Sequence, residues 1–239
     1  MNNTTKLLMN HLFCHVMIIP AVLYGELWMI CVSFIFWYII AIVAISGGYH
    51  RFYSHNSFST YSWYPYMVNI LALFSGAGPV LTWAATHRQH HAYSDTEDDP
   101  HSTFIKGICT VYFNTWGYTA KIQRKFVTSL LKDKLLVWFY RYYFKLTILI
   151  IIILYIIHPL LMIFMYCMPV VFAFHGYSLL NVLGHKDGKP RNSWIANILT
   201  AGEGWHGNHH SDSKNYCIGR TWWQFDPTAY FIKLIKTNG

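Results

Sequence analysis

Residues 27–46 are twenty positions without a charge, and they fix the solvent in which this chain must fold. As a helix they reach about 30 Å, the thickness of a bilayer's hydrocarbon core. Residues 7–24 precede them, interrupted only by His11, His15 and Pro20, and Gly25-Glu26 offers a tight turn between the two segments. The first segment lacks a small-residue cleavage site and a second follows at once, so it is read as a span rather than a leader. Residues 146–175 form a thirty-residue apolar run, about 45 Å as one helix and too long for one crossing. Near its middle, His158-Pro159 disfavours an unbroken helix. The pattern predicts two hairpins, with spans over residues 7–24, 27–48, 135–157 and 160–181, in a single domain covering 1–239.

Composition agrees. The chain is 54% hydrophobic and only 12% charged, too apolar for an ordinary soluble domain. Its formal charge of +8 fits Lys and Arg gathered at a cytoplasmic membrane face. Lys121, Arg124, Lys125, Lys132 and Lys134 form one such cluster, and Lys186, Lys189 and Arg191 another; lipid phosphate is their simplest partner. No nucleic-acid motif appears, so no nucleic-acid partner is expected. The cysteines are odd in number and lack a CxxC pair. Cys14, Cys31 and Cys167 sit in apolar runs and are read as packing residues.

Nine of the fourteen histidines stand in motifs beside the spans: His50 and His55 (box one); His87, His90 and His91 (box two); His185; and His206, His209 and His210 (box three). Residues at i, i+3 and i+4 share a helix face, so each HxxHH offers at least two imidazoles to one metal, with the third turned towards a neighbour. The five-residue step from His50 to His55 suits a helix end. Nine imidazoles exceed the shell of one ion and suffice for two ions with four or five ligands each. Structural zinc closes its shell with four ligands; copper accepts histidine, and a two-ion imidazole site suits iron at least as well. Asn181, four residues before His185, could hold a water on one metal. A carboxylate-bridged bundle would need two ExxH motifs and further glutamates, whereas only Glu26, Glu97 and Glu203 are present.

If boxes one and two share metals, the thirty-one residues between His55 and His87 cannot cross the membrane twice. Residues 64–86 are therefore read as an interfacial or re-entrant helix, broken by Gly76, Gly78 and Pro79.

The stretches GGYHRFYSH (47–55), WAATHRQHH (83–91), SDTEDDPH (94–101), NVLGH (181–185) and GEGWHGNHH (202–210) together resemble the membrane fatty acid desaturases, most closely their Δ9, stearoyl-CoA desaturase-like branch. WWQFDPT (222–228) resembles the tail of bacterial-type members, and the resemblance runs over residues 20–235. It implies an all-α membrane protein: four transmembrane helices in two hairpins, with a cytoplasmic helical cap holding a histidine-rich di-iron site. The implied ligands of two Fe ions are His50, His55, His87, His90, His91, His185, His206, His209 and His210, with Asn181 acting through water. The implied activity is O2-dependent insertion of a cis double bond, Δ9 in position, into a saturated acyl chain. Animal acyl-CoA members carry arginine two residues before box two, where this chain has Ala85, so the substrate is written as acyl-CoA or acyl-lipid. No fused haem domain is visible, and a separate electron donor of cytochrome b5 or ferredoxin type is expected. The setting is a multi-pass protein of the endoplasmic reticulum or a bacterial inner membrane. Related alternatives are a di-iron acyl or alkyl hydroxylase and, outside enzymes, a membrane metal- or haem-binding protein.

Around the ligands, Glu203 is expected to support His206, one turn away, and Asp95 or Asp98 to accept from ligand N–H groups. Trp83 and Trp205 are candidates to line a substrate tunnel. His101 is expected in a solvated loop, His11 and His15 in packing, His175 in a structural role and His158 at the outer turn.

Overall fold

The computed structural model describes residues 3–112 and 121–237, which are almost entirely helical. Four helices are long and apolar enough to cross a membrane: α1 (Asn3–Tyr24) and α2 (Leu27–Ser54), then, farther along the chain, Lys134–Ile157 and Pro159–Gly184. Between the two pairs lie α3 (Tyr64–Ala72) and α4 (Val80–Tyr93). The later pair are α5 and α6; α7 (Trp194–Leu199), α8 (His206–Ser211) and α9 (Pro227–Ile235) complete the cap.

Both hairpins form where sequence chemistry forbids helix. Between α1 and α2, a Cβ on Gly25 would lie 2.3 Å from the Ala21 carbonyl oxygen and 2.4 Å from the Phe164 ring, so only glycine fits. Between α5 and α6, His158 is extended and its Nδ1 accepts from the Leu160 N–H at 3.2 Å, with Pro159 at the first helical position. Proline is suited there because its missing N–H would have no helical partner. At the other end of α5, Asp133 Oδ1 accepts from the Leu135 and Leu136 N–H groups.

The outward faces of α1 and α5 expose Leu8, Leu12, Ile19 and Leu23, and Ile148, Ile152 and Ile156. Such a belt requires an apolar surrounding. In its apolar window α5 is 11% buried and α6 67%, which makes α6 the central helix. Cys14 and Cys167 are buried, but Cys31 is exposed on α2, contrary to its expected packing role.

The last fourteen residues of α2, Ala41–Ser54, are wound as a π-helix. Bonds there run from i to i+5, among them His55 N–H to the His50 carbonyl at 3.2 Å. The π turn carries α2 past the expected end at residue 48. It packs closely on α3: a Cβ on Gly48 would lie 2.5 Å from Val68 Cγ1.

The helix expected over residues 64–86 is instead two helices. Gly76 and Gly78, at φ +66° and +83°, turn the chain between them. Buried tyrosines satisfy that turn: Tyr49 O–H donates to the Gly78 carbonyl at 2.6 Å, and the Gly78 N–H donates to Tyr143 Oη at 3.2 Å. Pro79 then leads into α4, which runs to Tyr93 and carries all of box two.

Candidate metal centre

Four chain segments deliver the nine histidines to one place: the π-wound end of α2, α4, the residue after α6, and α8. The π turn explains box one. With i→i+5 winding, His50 and His55 lie on one face, and their ring centroids are 4.9 Å apart. Arg88 fixes α4 against this end by donating to the Tyr53 and Ser54 carbonyls at 2.6 and 3.0 Å. A Cβ on Gly184 would lie 2.9 Å from the His206 ring, so a side chain there would push box three away from His185.

The rings fall into two groups. His50, His55, His87, His91 and His209 form one, and His90, His185, His206 and His210 the other; within each group the ligand atoms lie within 4.8 Å of one another. Each HxxHH is divided. His87 and His91 serve the first group and His90 the second, while His209 serves the first and His206 and His210 the second. In the first group Nε2–Nε2 separations are 2.9 Å for His50–His209 and His209–His91, and 3.0 Å for His55–His87. In the second they are 3.1 Å for His90–His185, 2.8 Å for His185–His206 and 3.1 Å for His206–His210.

These separations fit a cation in each cage. With metal–nitrogen bonds of about 2.1 Å, neighbouring ligands on an octahedral ion lie about 3.0 Å apart, and on a tetrahedral ion about 3.4 Å. The pair His90–His185 carries the argument. Each Nδ1 faces a carboxylate at 2.9 Å, Asp99 for His90 and Asp95 for His185. Each Nδ1 therefore holds its ring's proton, and in the neutral rings both Nε2 atoms present bare lone pairs to each other at 3.1 Å. A positive ion between them removes that repulsion. A second proton on His90 does not, because burial, with the neighbouring His101, His185 and His210, holds its pKa well below the ordinary imidazole value. Burial likewise lowers His87, His206 and His209, and it takes His55 to about 2 and His210 to about 3. Neutral imidazole is the ligand form.

The carboxylates differ from expectation in two respects. Asp98 is exposed, and its neighbour Asp99 is the residue buried against His90. The Asp95 backbone, at φ +57°, bends this loop inward, and its N–H and that of His101 donate to Asp99 at 2.9 and 3.0 Å. Glu203 does not reach back along its own segment to His206. It crosses to His50, with Oε2 at 2.5 Å from Nδ1, and its other oxygen accepts from Arg51 at 3.0 Å. Burial would raise the Glu203 pKa, but His50 and Arg51 outweigh it and hold it at about 2.

Arg51 was not identifiable as a site residue. Though only 1% exposed, it donates to Glu203, to both oxygens of Asp226 and to the Tyr216 carbonyl. Its position inside box one and the Asp226 of the WWQFDP segment were the available signals. His101 is also buried, stacked on His90 at 4.4 Å and 22°, rather than solvated. Away from the cages, His15 Nε2 and His175 Nε2 lie 3.2 Å apart between α1 and α6.

One cavity touches both cages. His50 and His87 border it from the first and His90 and His206 from the second, while Ile45, Ala77, Tyr177 and Leu180 make its apolar wall. Trp83 lines it and stacks on His87 at 5.0 Å. Asn181 lines it too, its Nδ2 donating to the Tyr177 carbonyl at 2.8 Å. Trp205 does not line it. Its indole N–H turns to the Phe225 carbonyl at 2.9 Å, and its ring meets the edge of Trp223.

The chain is also similar to known proteins over most of its length. Residues 26–230 match the family model described as fatty acid desaturase. The sn-2 palmitoyl-lipid 9-desaturase of Nostoc sp. (strain 36) is 30% identical, over 82% of this chain and 74% of that protein. The sn-1 stearoyl-lipid 9-desaturase of Synechocystis sp. is also 30% identical, over 87% and 69%. Delta-9 acyl-lipid desaturase 2 of Arabidopsis thaliana is 28% identical, over 90% and 73%.

Proposed function

This chain belongs to the fatty acid desaturase family, and on that premise we propose that it places a cis double bond at the Δ9 position of a saturated acyl chain carried on a membrane lipid. It is a membrane oxidoreductase acting on fatty acyl chains. The names of its relatives support the Δ9 position and the lipid carrier. The observation that carries the reading is the pair of all-imidazole cages bordering one apolar cavity.

His50, His55, His87, His91 and His209 would hold one iron. His90, His185, His206 and His210 would hold the other, with Asn181 placing a water beside them. Two irons there would supply the O2-derived oxidising power that removal of hydrogen from an unactivated methylene demands. The chain's own residues do the rest. Asp99 and Asp95 accept hydrogen bonds from Nδ1–H of His90 and His185, Glu203 faces Nδ1 of His50, and these contacts aim the Nε2 atoms inward. Ile45, Ala77 and Leu180 exclude water and confine an alkyl chain. Trp83, flat against His87, narrows the passage at the cage, so that one pair of methylenes rests beside both metal positions. The two electrons come from a separate donor of cytochrome b5 or ferredoxin type, met on the cytoplasmic side where the basic residues gather.

Expression in a desaturase-deficient host, with profiling of glycerolipid acyl chains, tests the reading. The expected product is a Δ9 monounsaturated chain with two irons per purified protein, and His90→Ala should abolish the product and lower bound iron. Folded, iron-loaded protein that yields no monounsaturated chain, or yields a hydroxylated one, refutes it.

A further inference from the structure

A second cavity, of about 300 Å³, lies where α5 begins, on the histidine side of the fold, lined by Leu131, Lys134, Val137, Trp138, Arg141 and Tyr142. None of these residues borders the histidine cavity. Lys134, Trp138, Arg141 and Tyr142 stand at i, i+4, i+7 and i+8 and so share one face of the helix.

The telling feature is that Arg141 and Lys134 share one cavity at this end of α5. Arg141 stands sixteen residues (157 − 141) from the far end of α5 at Ile157, or about 24 Å along the axis. That puts it toward the headgroup side of a hydrocarbon core of about 30 Å, with Lys145 one turn deeper on the helix. A guanidinium near that boundary is best matched by an anion that fits its planar fork. Among the described residues, neither Arg141 nor Lys134 enters an ion pair. The nearest acid in sequence, Asp133, is engaged as the helix cap. The cavity also lies at the N-terminal end of a 24-residue helix, where the helix dipole favours negative charge. Trp138 and Tyr142, with ring centroids 5.1 Å apart, are amphipathic rings of the kind that settle at the headgroup level. Farther down α5, Ile148, Leu149, Ile152 and Ile156 are exposed.

We propose that this cavity binds the phosphodiester headgroup of an anionic phospholipid. Arg141 makes the paired contact that its planar fork allows, Lys134 supplies a second positive charge, and the acyl chains run down the Ile148–Ile152 face. A free phosphate shares the headgroup chemistry but leaves that apolar face unused, which is why a lipid is the better occupant.

The test is native mass spectrometry of the iron-loaded full chain in detergent, offered phosphatidylglycerol, phosphatidylcholine or inorganic phosphate. Two basic contacts predict roughly a 30-fold preference for phosphatidylglycerol over phosphatidylcholine, falling to roughly 5-fold in Arg141→Gln. Iron content, which should not change in that variant, shows that it is folded. Equal retention of the two lipids by the unmodified protein overturns the proposal, and that outcome is readable even if Arg141→Gln fails to fold. A preference undiminished in folded Arg141→Gln overturns it too, as does displacement of the lipid by inorganic phosphate at equal concentration.

Discussion

Glu203→Gln separates the two cages. The carboxylate faces His50 Nδ1 at 2.5 Å and Arg51 at 3.0 Å and is buried. Its pKa of about 2, against an ordinary 4.5, follows from those two partners prevailing over burial. A depressed carboxylate pKa stabilises the fold above pH 4.5, and the contribution is lost as pH falls through about 2. At neutral pH the difference is worth about 3 kcal/mol. Glutamine keeps the shape and removes the charge, so most of that stabilisation should go, with a fall in melting temperature on the order of 10 °C. Loss of the carboxylate behind a ligand histidine commonly weakens metal affinity by about 10- to 100-fold. Only the five-histidine cage depends on Glu203, because Asp95 and Asp99 serve the other. The assay is iron per chain, measured by elemental analysis along a chelator titration. The variant should fall from two irons to one at a chelator concentration that the unmodified protein withstands, and desaturation should be lost with the first iron. Asp226→Asn is the control: Asp226 binds Arg51 but no histidine, so its stability should drop while both irons stay. Two irons held by Glu203→Gln with unmodified chelator resistance, or an equal loss from both cages, would refute the reasoning.

Three further outcomes follow from the same geometry. Asp99→Asn should weaken iron at the four-histidine cage by about 10- to 100-fold, whereas Asp98→Asn, at an exposed position, should leave iron content and product unchanged; elemental analysis of the two variants decides. Gly48→Ala puts a Cβ 2.5 Å from Val68 and should cost about 1–3 kcal/mol, seen as a lower melting temperature that the double change with Val68→Ala partly restores. In the metal-free protein, His55 and His210 have folded pKa values of about 2 and 3. Their contribution is therefore complete above pH 6.5 and is lost as pH falls toward those values, by about 2 kcal/mol per histidine at pH 5; a melting temperature that stays level from pH 7.5 to pH 5 would contradict this.

The hydrophobic rhythm of the sequence was enough to place two hairpins, because bilayer thickness leaves few ways to arrange four runs of that length. His158-Pro159 gave the second turn for the same reason that it caps α6 in the structure. The histidines were legible by spacing, and so was the turning of one ring in each HxxHH away from the other two; which ring goes to which cage was not. Helical spacing gives two rings of an HxxHH to one metal and turns the third towards a neighbour, and each motif is shared between both groups in that ratio. The five-residue step of box one suits a helix end under α winding; π winding makes it one turn. Asp99 and Glu203 reach their partners through a left-handed Asp95 and a crossing between distant segments, and neither leaves a periodic trace. Arg51 was hidden because its partners lie 152 and 175 residues away along the chain.

The two cages also differ in what stands behind them. The five-histidine cage has one carboxylate, Glu203, and Arg51 offsets much of its charge while being shared with Asp226. The four-histidine cage has two, Asp95 and Asp99, and among the described residues no guanidinium faces either. The cage with fewer nitrogen donors thus has more negative charge behind those it has. A carboxylate accepting the Nδ1 proton makes Nε2 a stronger donor, so two polarised imidazoles in the smaller cage partly offset its missing fifth. The difference in donor count is thereby reduced without being removed, and Asn181 lies beside the smaller cage, on the wall of the cavity that both share. Any small ligand entering that cavity would therefore meet two unequal cages, one offering five imidazoles and one offering four, with the Asn181 amide on the same cavity wall.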